Sequence, residues 1–362
     1  MAPTTSWVLL ERMIYIEHDA NETGGESYSS IVAGAAKKGV PSRQDIADAN
    51  LAYLRNLKPD ARFADPPELS SLRILRPTEF TPGICQHISS AYVASADKNL
   101  VALFAGPYRP GSNSKGGYLI YDAGKNSLST IPQPPYDYNR LDVGGRRLRS
   151  WRARQDTCFV FRGSSLCWVD LSKGMVVCDL RAVIQHGAVP ELRFVPLPGE
   201  CPTYNRGQRE QQLRPEEFRN MACVGGSIKF VTMDGYGERP GREVTMTVWT
   251  LSPDLCSWNK GTMCHVVRDI WASESHLSLA LPRVLPLFPV LSVDEDDAVY
   301  LIFTDLDVAV GGRILEYKMQ YLLRVDMQHN KVSYHPKSGE EMPFQLFHNE
   351  ILASECNSYL RS

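Results

Sequence analysis

Four times along the chain an apolar run ends at a small polar residue, passes through a tight turn and starts again. The stretches are YLIYDAGKNSLSTI (118–131), LCWVDLSKGMVVCDL (166–180), TVWTLSPDLCSWNK (247–260) and YLLRVDMQHNKVSYH (321–335). Each reads as two antiparallel strands joined by a short loop. In three of them Asp122, Asp170 or Asp326 follows an apolar or aromatic residue. An Asp there can accept from its own downstream backbone and hold the turn.

Further hairpins lie between these modules: SSAYVASADKNLVALFA, ACVGGSIKFVTMDGY and PVLSVDEDDAVYLIF. Pairing hairpin with module gives four-stranded units near 88–134, 156–198, 221–271 and 287–335. The fold expected is mainly β, a β-propeller-like array of four-stranded antiparallel units, with a β-sandwich as the alternative. Residues 1–362 are read as a single domain, with the repeats over 84–362. Residues 1–83 supply a strand at 7–16, a short helix at 42–57 closed by Pro59, and a loop. The strand at 7–16 is expected beside the last strands, since pairing the chain ends hides an edge. Trp168 and Trp249, at comparable places in their modules, are expected in the core, and Trp151 outside it.

PVLSVDEDDAVYLIF also holds the densest acidic run, Asp294, Glu295, Asp296 and Asp297. An EF-hand loop counted from Asp294 would need Gly where Val299 stands. The run is read as a solvated hairpin turn whose charges add little to stability.

The 39 Lys and Arg against 41 Asp and Glu leave a net charge of −2, too balanced for broad attraction to nucleic acid or anionic membrane. The first residues, MAPTTSWVLLERMIYIEHD, have no basic leader, and Glu11 and Arg12 break their apolar run. Pro282, Pro286 and Pro289 break the apolar stretch 277–293. These features point to an intracellular protein, cytoplasmic or nuclear, that does not span a membrane. The nine cysteines contain no C-x-x-C pair, which fits buried reduced thiols. Cys264, His265 and His276 are the nearest approach to a metal set, and no cofactor or metal is expected. His18, His87, His186, His265, His276, His329, His335 and His348 are scattered, and nucleotide-loop, nucleophile-elbow and zincin motifs are absent.

The most unusual local feature is GGRRLRSWRAR, 144–154, which sets Arg146, Arg147, Arg149, Arg152 and Arg154 around Trp151. Guanidinium forks suit phosphate and indole stacks on bases, so this is the candidate ligand site, for an anion or RNA. The plainer reading is an exposed loop between units.

Longer segments carry a family likeness. SLCWVDLSKGMVVCDL, PTYNRGQR through NMACVGGSIKFVTMDGY, EVTMTVWTL, PVLSVDEDDAVYLIF and QYLLRVDM resemble, in order, the signature segments of a plant family expanded in grasses and catalogued as domain of unknown function 1618. SWVLLERMIYI and FADPPELSSLRIL resemble its N-terminal segments. The resemblance implies no activity and no catalytic residues. CVGGSIKFV (223–231) is similar to the Gly-Gly strand start of kelch and F-box-associated propellers, where glycines permit close backbone approach. An F-box helical module is not expected ahead of the strand-like start. The function expected is a non-enzymatic scaffold with a protein or peptide partner. The alternatives are an enzyme with a loop-built site and an anion or RNA reader.

Overall fold

The computed structural model describes residues 7–18, 51–76, 88, 90–106, 117–131, 142–143, 146–147, 156–179, 192–201, 214–235, 243–308, 314–329, 331–336 and 351–354. Strands dominate them, and three of the four expected units are separate four-stranded antiparallel sheets. The second unit comprises Thr157–Phe161, Ser165–Asp170, Gly174–Asp179 and Leu192–Pro196. The third comprises Arg219–Val224, Ser227–Asp234, Thr245–Leu251 and Trp258–His265. The fourth comprises Leu287–Leu291, Ala298–Val308, Ile314–Asp326 and Lys331–Pro336. The first unit, Ser90–Asp97, Leu100–Ala105, Gly117–Asp122 and Ser127–Ile131, is also antiparallel but continues into the terminal strands as one nine-stranded sheet.

The module turns form as their chemistry predicts. Asp122 Oδ1 accepts from the Gly124 and Lys125 amides at 3.0 and 3.3 Å. Asp170 Oδ1 accepts from Ser172 N at 3.0 Å, and Asp326 Oδ1 from His329 N at 3.0 Å. In the remaining module Ser252 takes that role, its Oγ accepting from Ser257 N at 2.9 Å. Side-chain oxygens thus replace strand bonds where the ladder ends.

These turn residues also fix which side chains enter the core. The residue before each is buried: Tyr121, Val169, Leu251 and Val325. Alternation then puts Leu119, Cys167, Trp249 and Leu323 on the same side, and all are buried. Trp168 is one residue out of step with Trp249. It faces away from Cys167 and Val169 and is only half-buried, which corrects its expected place in the core.

Four apolar clusters fill the spaces between layers. Cys167, Val169 and Met175 of the second sheet meet Phe230, Trp249 and Leu251 of the third. The other face of the third sheet, with Val231, Met246 and Val248, meets Val299, Leu301 and Leu323 of the fourth. The fourth sheet's far side packs on Trp7 and Leu9, and Val8 and Leu10 join the core of the first sheet. One N-terminal strand therefore buries both faces, as its unbroken apolar run demands.

That strand, Val8–Glu11, pairs antiparallel with Ile351–Ser354, in the register Leu9 to Ala353, so the N-terminal strand lies beside the last one as expected. It also pairs in parallel with Leu69–Arg76, and so does Met13–His18. Residues 51–55 are helical, and the start of the expected helix lies outside the described residues. Lys58–Arg62 is a strand on Leu69–Arg76, where Pro59 was expected to close the helix. Pro59 is tolerated because its strand has one partner only.

The first strands of successive sheets are neighbours. Ser90–Asp97 lies beside Thr157–Phe161, that strand beside Arg219–Val224, the next beside Leu287–Leu291, and the last beside Ile351–Ser354. Two glycine sites show why the backbone needs them. Gly225 and Gly226, with φ of 55° and 75°, make the two-residue hairpin turn after Val224. Positive φ therefore explains this pair. Close approach does not, since a Cβ on Gly226 would meet nothing within 4 Å. At Gly174 both causes act: its φ is 144°, and a Cβ there would lie 2.3 Å from the Val195 carbonyl oxygen. Among the described residues no helix is long and apolar enough to cross a membrane.

Candidate functional site

Where the first strands converge, the chain buries charge. Arg12 lies in the corner between Val8–Glu11 and Met13–His18 and is 5% exposed. Its Nε donates to the Val93 carbonyl at 3.2 Å and its Nη2 to the Asp156 carbonyl at 3.0 Å. Its guanidinium lies 4.6 Å from the centre of the Tyr92 ring. Arg219, 1% exposed, donates from Nη1 to the Leu171 carbonyl at 2.9 Å and lies over the rings of Phe218 and Phe230. Asp156 Oδ2 accepts from Leu171 N at 2.8 Å. Thr157, Glu216, Asn220 and Phe288 complete the wall.

Two guanidiniums and two carboxylates meet at this junction of sheets, and their hydrogen bonds to the backbone fasten neighbouring layers. Each arginine reaches a backbone carbonyl on a different layer, and Asp156 is held by a backbone amide. The cavity between them is about 10 Å³, room for one water. Organic ligands fill pockets of about 300 to 1,000 Å³. None of this was legible in sequence, because the partners are carbonyls on distant strands.

Four of the seven described cysteines, Cys167, Cys178, Cys201 and Cys264, are buried as expected, whereas Cys158 and Cys223 are half-buried and Cys256 is exposed; none of the seven forms a disulfide. Burial pushes Cys158, Cys167, Cys201 and Cys264 up to about 12, so at neutral pH they are neutral thiols. Cys264 belongs to an apolar cluster, and His276 binds Tyr334. Among the described residues no group of three or more His, Cys, Asp or Glu could hold a metal ion.

The acidic run is a turn, as expected, but its carboxylates are engaged. The Trp7 side chain hydrogen-bonds Asp294, whose pKa burial nevertheless raises. Glu295 pairs with Arg324 of its own sheet. Lys229 of the third sheet donates to Asp296 Oδ1 at 2.9 Å and to its carbonyl at 2.8 Å. The turn thus ties three layers together, which revises the expectation that its charges add little. Replacing all four acids with Asn or Ser is expected to cost about 1 to 2 kcal/mol, since exposed pairs contribute up to about 1 kcal/mol each. Urea melts at low and high salt check this, and the difference should shrink at high salt.

Of the candidate ligand residues, Arg146 and Arg147 form a short strand paired with Asp142–Val143. Arg149, Trp151, Arg152 and Arg154 lie outside the described residues.

A different surface is left apolar. On the face of the second sheet turned away from the third, cross-strand neighbours run Cys158, Trp168, Val176, Phe194 and Val160, Leu166, Cys178, Leu192. Val176 and Cys178 are buried, Trp168 is half-buried, and Leu192 and Phe194 are 39% and 51% exposed. Leu192–Pro196 pairs with one strand only, so its outer edge has no strand partner among the described residues. Arg193, between the two exposed residues, donates to the Leu255 carbonyl at 3.0 Å, and Trp258 Nε1 to the Pro196 carbonyl at 2.8 Å. The edge is therefore fixed to the third sheet while Leu192 and Phe194 stay partly exposed. Sequence reading missed this surface because one strand, LRFVP, looks like any core strand.

The architecture defines a mainly β protein of repeated four-stranded antiparallel sheets. Within it, residues 168–300 match the model of a family described as "Protein of unknown function (DUF1618)", in agreement with the likeness of the signature segments. The match runs from Trp168 in the second sheet to Tyr300 in the fourth. No curated protein matches the chain.

Proposed function

We propose that this protein is a non-enzymatic, propeller-like scaffold that binds a protein or peptide partner on the outer part of its second sheet. The observation that carries the reading is the row ending in Leu192 and Phe194, apolar, exposed and held on a fastened edge strand. An open edge accepts an extended segment through main-chain bonds, and alternate side chains beside it supply specificity. Holding the edge in place beforehand lowers the ordering cost of binding.

A propeller with five layers is the arrangement we favour: the four sheets, and a fifth layer from the terminal strands. Its support is the succession of neighbouring first strands and the pairing of Val8–Glu11 with Ile351–Ser354. Pairing chain ends hides two edges at once.

The test compares the wild type with the double variant Leu192→Ser, Phe194→Ser as bait in extracts of grass tissue, the source suggested by the family likeness. Exposed substitutions usually change stability by no more than about 0.5 kcal/mol, so the variant should melt like the wild type. Partners quantified by mass spectrometry should be retained by the wild type and lost from the variant. Equal retention by both baits would sink the proposed surface. Partners lost instead on neutralising Arg146 and Arg147, and released by nuclease, would favour the RNA reading.

A further inference from the structure

The connection between the third and fourth sheets carries a buried histidine that the scaffold reading does not use. His276 lies in the short helix Glu274–Ser278 and is 2% exposed, although Leu277 and Leu279 beside it are 60% and 46% exposed. Its Nδ1 is 2.6 Å from Tyr334 Oη on the last strand of the fourth sheet. The imidazole stands edge-on to Phe303 at 6.0 Å and lies 5.7 Å from the Tyr334 ring, while Tyr321 closes the aromatic group. A second bond, from Ser275 Oγ to the Val332 carbonyl at 2.7 Å, fastens the same helix to the same strand.

We propose that His276 is a proton-operated latch: uncharged, it holds the 271–285 connection on the fourth sheet, and on taking up a proton it lets that connection lift. The groups facing the ring explain why. From Lys331–Pro336 comes Tyr334, which burial keeps protonated and able to donate to Nδ1. From Ile314–Asp326 comes Tyr321 and from Ala298–Val308 the uncharged Phe303. From its own connection come the Leu281 backbone, the one group that favours the cation, and Arg283, which opposes it. Burial acts most strongly of all, and with Arg283 it lowers the pKa from the ordinary 6.5. The Tyr334 hydroxyl can turn to accept from a protonated Nδ1, so the cost of the cation is chiefly its burial near a second positive charge.

The direction of the effect follows. Once the connection lifts, the imidazole regains its ordinary affinity for protons, so below about pH 6.5 the lifted state binds more protons than the docked one. Docking is therefore strongest above that pH and weakens as pH falls through the lowered pKa. Lifting uncovers Phe303, Tyr321 and Tyr334 and frees the exposed leucines to move with the helix. The device would present a new apolar surface only in mildly acidic conditions.

Hydrogen exchange of the full chain at pH 7.5 and 5.5, corrected for the intrinsic pH dependence of exchange, tests the latch. Wild-type amides in 271–285 and 331–336 should lose protection severalfold, up to about tenfold, at pH 5.5, while the Leu323–Val325 amides keep theirs. His276→Gln, which cannot titrate, should show equal protection at both values. Unchanged wild-type protection, or the same loss in His276→Gln, would overturn the proposal. Should the variant not fold, the His276 ring of the wild type can be titrated directly by NMR. The latch requires a midpoint below 6.5 that coincides with the loss of protection, and a ring titrating at or above 6.5 contradicts it.

Discussion

Trp249→Ala is expected to lower the unfolding free energy by about 3 to 5 kcal/mol, the usual cost of emptying a buried aromatic site. The indole is 3% exposed and joins Phe230, Leu251, Cys167 and Val169 between the second and third sheets. Its removal strips contacts from both sheets at once, and both backbones are held in register by their own ladders, so the void cannot collapse. That loss is a large share of a stability of about 5 to 15 kcal/mol. Trp168→Ala, on the other face of the second sheet, should cost less, because that side chain is only half-buried. Urea denaturation of the two variants decides it. Equal losses would mean that the turn-based alignment of the modules is wrong.

Arg219→Ala is expected to be nearly as damaging, at about 3 to 5 kcal/mol. The change leaves the Leu171 carbonyl without its donor and opens space under Phe218 and Phe230, with Glu216 still buried nearby. Arg219→Met should lose less, because it fills the volume and brings no charge in need of a partner. If instead Arg219→Ala folds with wild-type stability while a binding or catalytic function disappears, the junction is a site and its reading as a fastening fails.

The sequence and the structure agree where structure is written locally. Strand alternation, turn residues and the spacing of hairpins sufficed for the four units, because each strand pairs with its neighbour in the chain and Asp122, Asp170 and Asp326 mark the turns. The N-terminal segment was harder. Leu69–Arg76 pairs with strands more than fifty residues earlier, so neither pairing leaves a local trace. Pro59, read as a stop, sits in an edge strand where a missing N–H costs nothing.

Side-chain function was less legible than fold. The acidic turn was recognisable from the strands around it. Its ties to Trp7 and Lys229 were not, since both partners lie in other layers. Arg12 looked like a charge interrupting an apolar run, and folding turns it inward to the Val93 carbonyl of its own nine-stranded sheet and the Asp156 carbonyl at the start of the second sheet. Trp168 was misplaced because the modules were matched by their aromatic residues. Matching them by the turn residue gives the correct face. The exposed row at Leu192 and Phe194 emerges only when four strands are laid side by side.

The central claim is that the sheets form one scaffold closed by its chain ends, and a cross-link tests it most directly. Leu9 and Ala353 are opposite each other in the antiparallel pair of terminal strands, where Cα atoms lie about 4.5 to 5.5 Å apart, within the span of a disulfide. In the double variant Leu9→Cys, Ala353→Cys, mild oxidation followed by peptide mapping should find residues 9 and 353 joined within one monomer. The oxidised form should melt at a higher temperature than the reduced form. Both cysteines remaining reduced, or linking only between molecules, would contradict the closure.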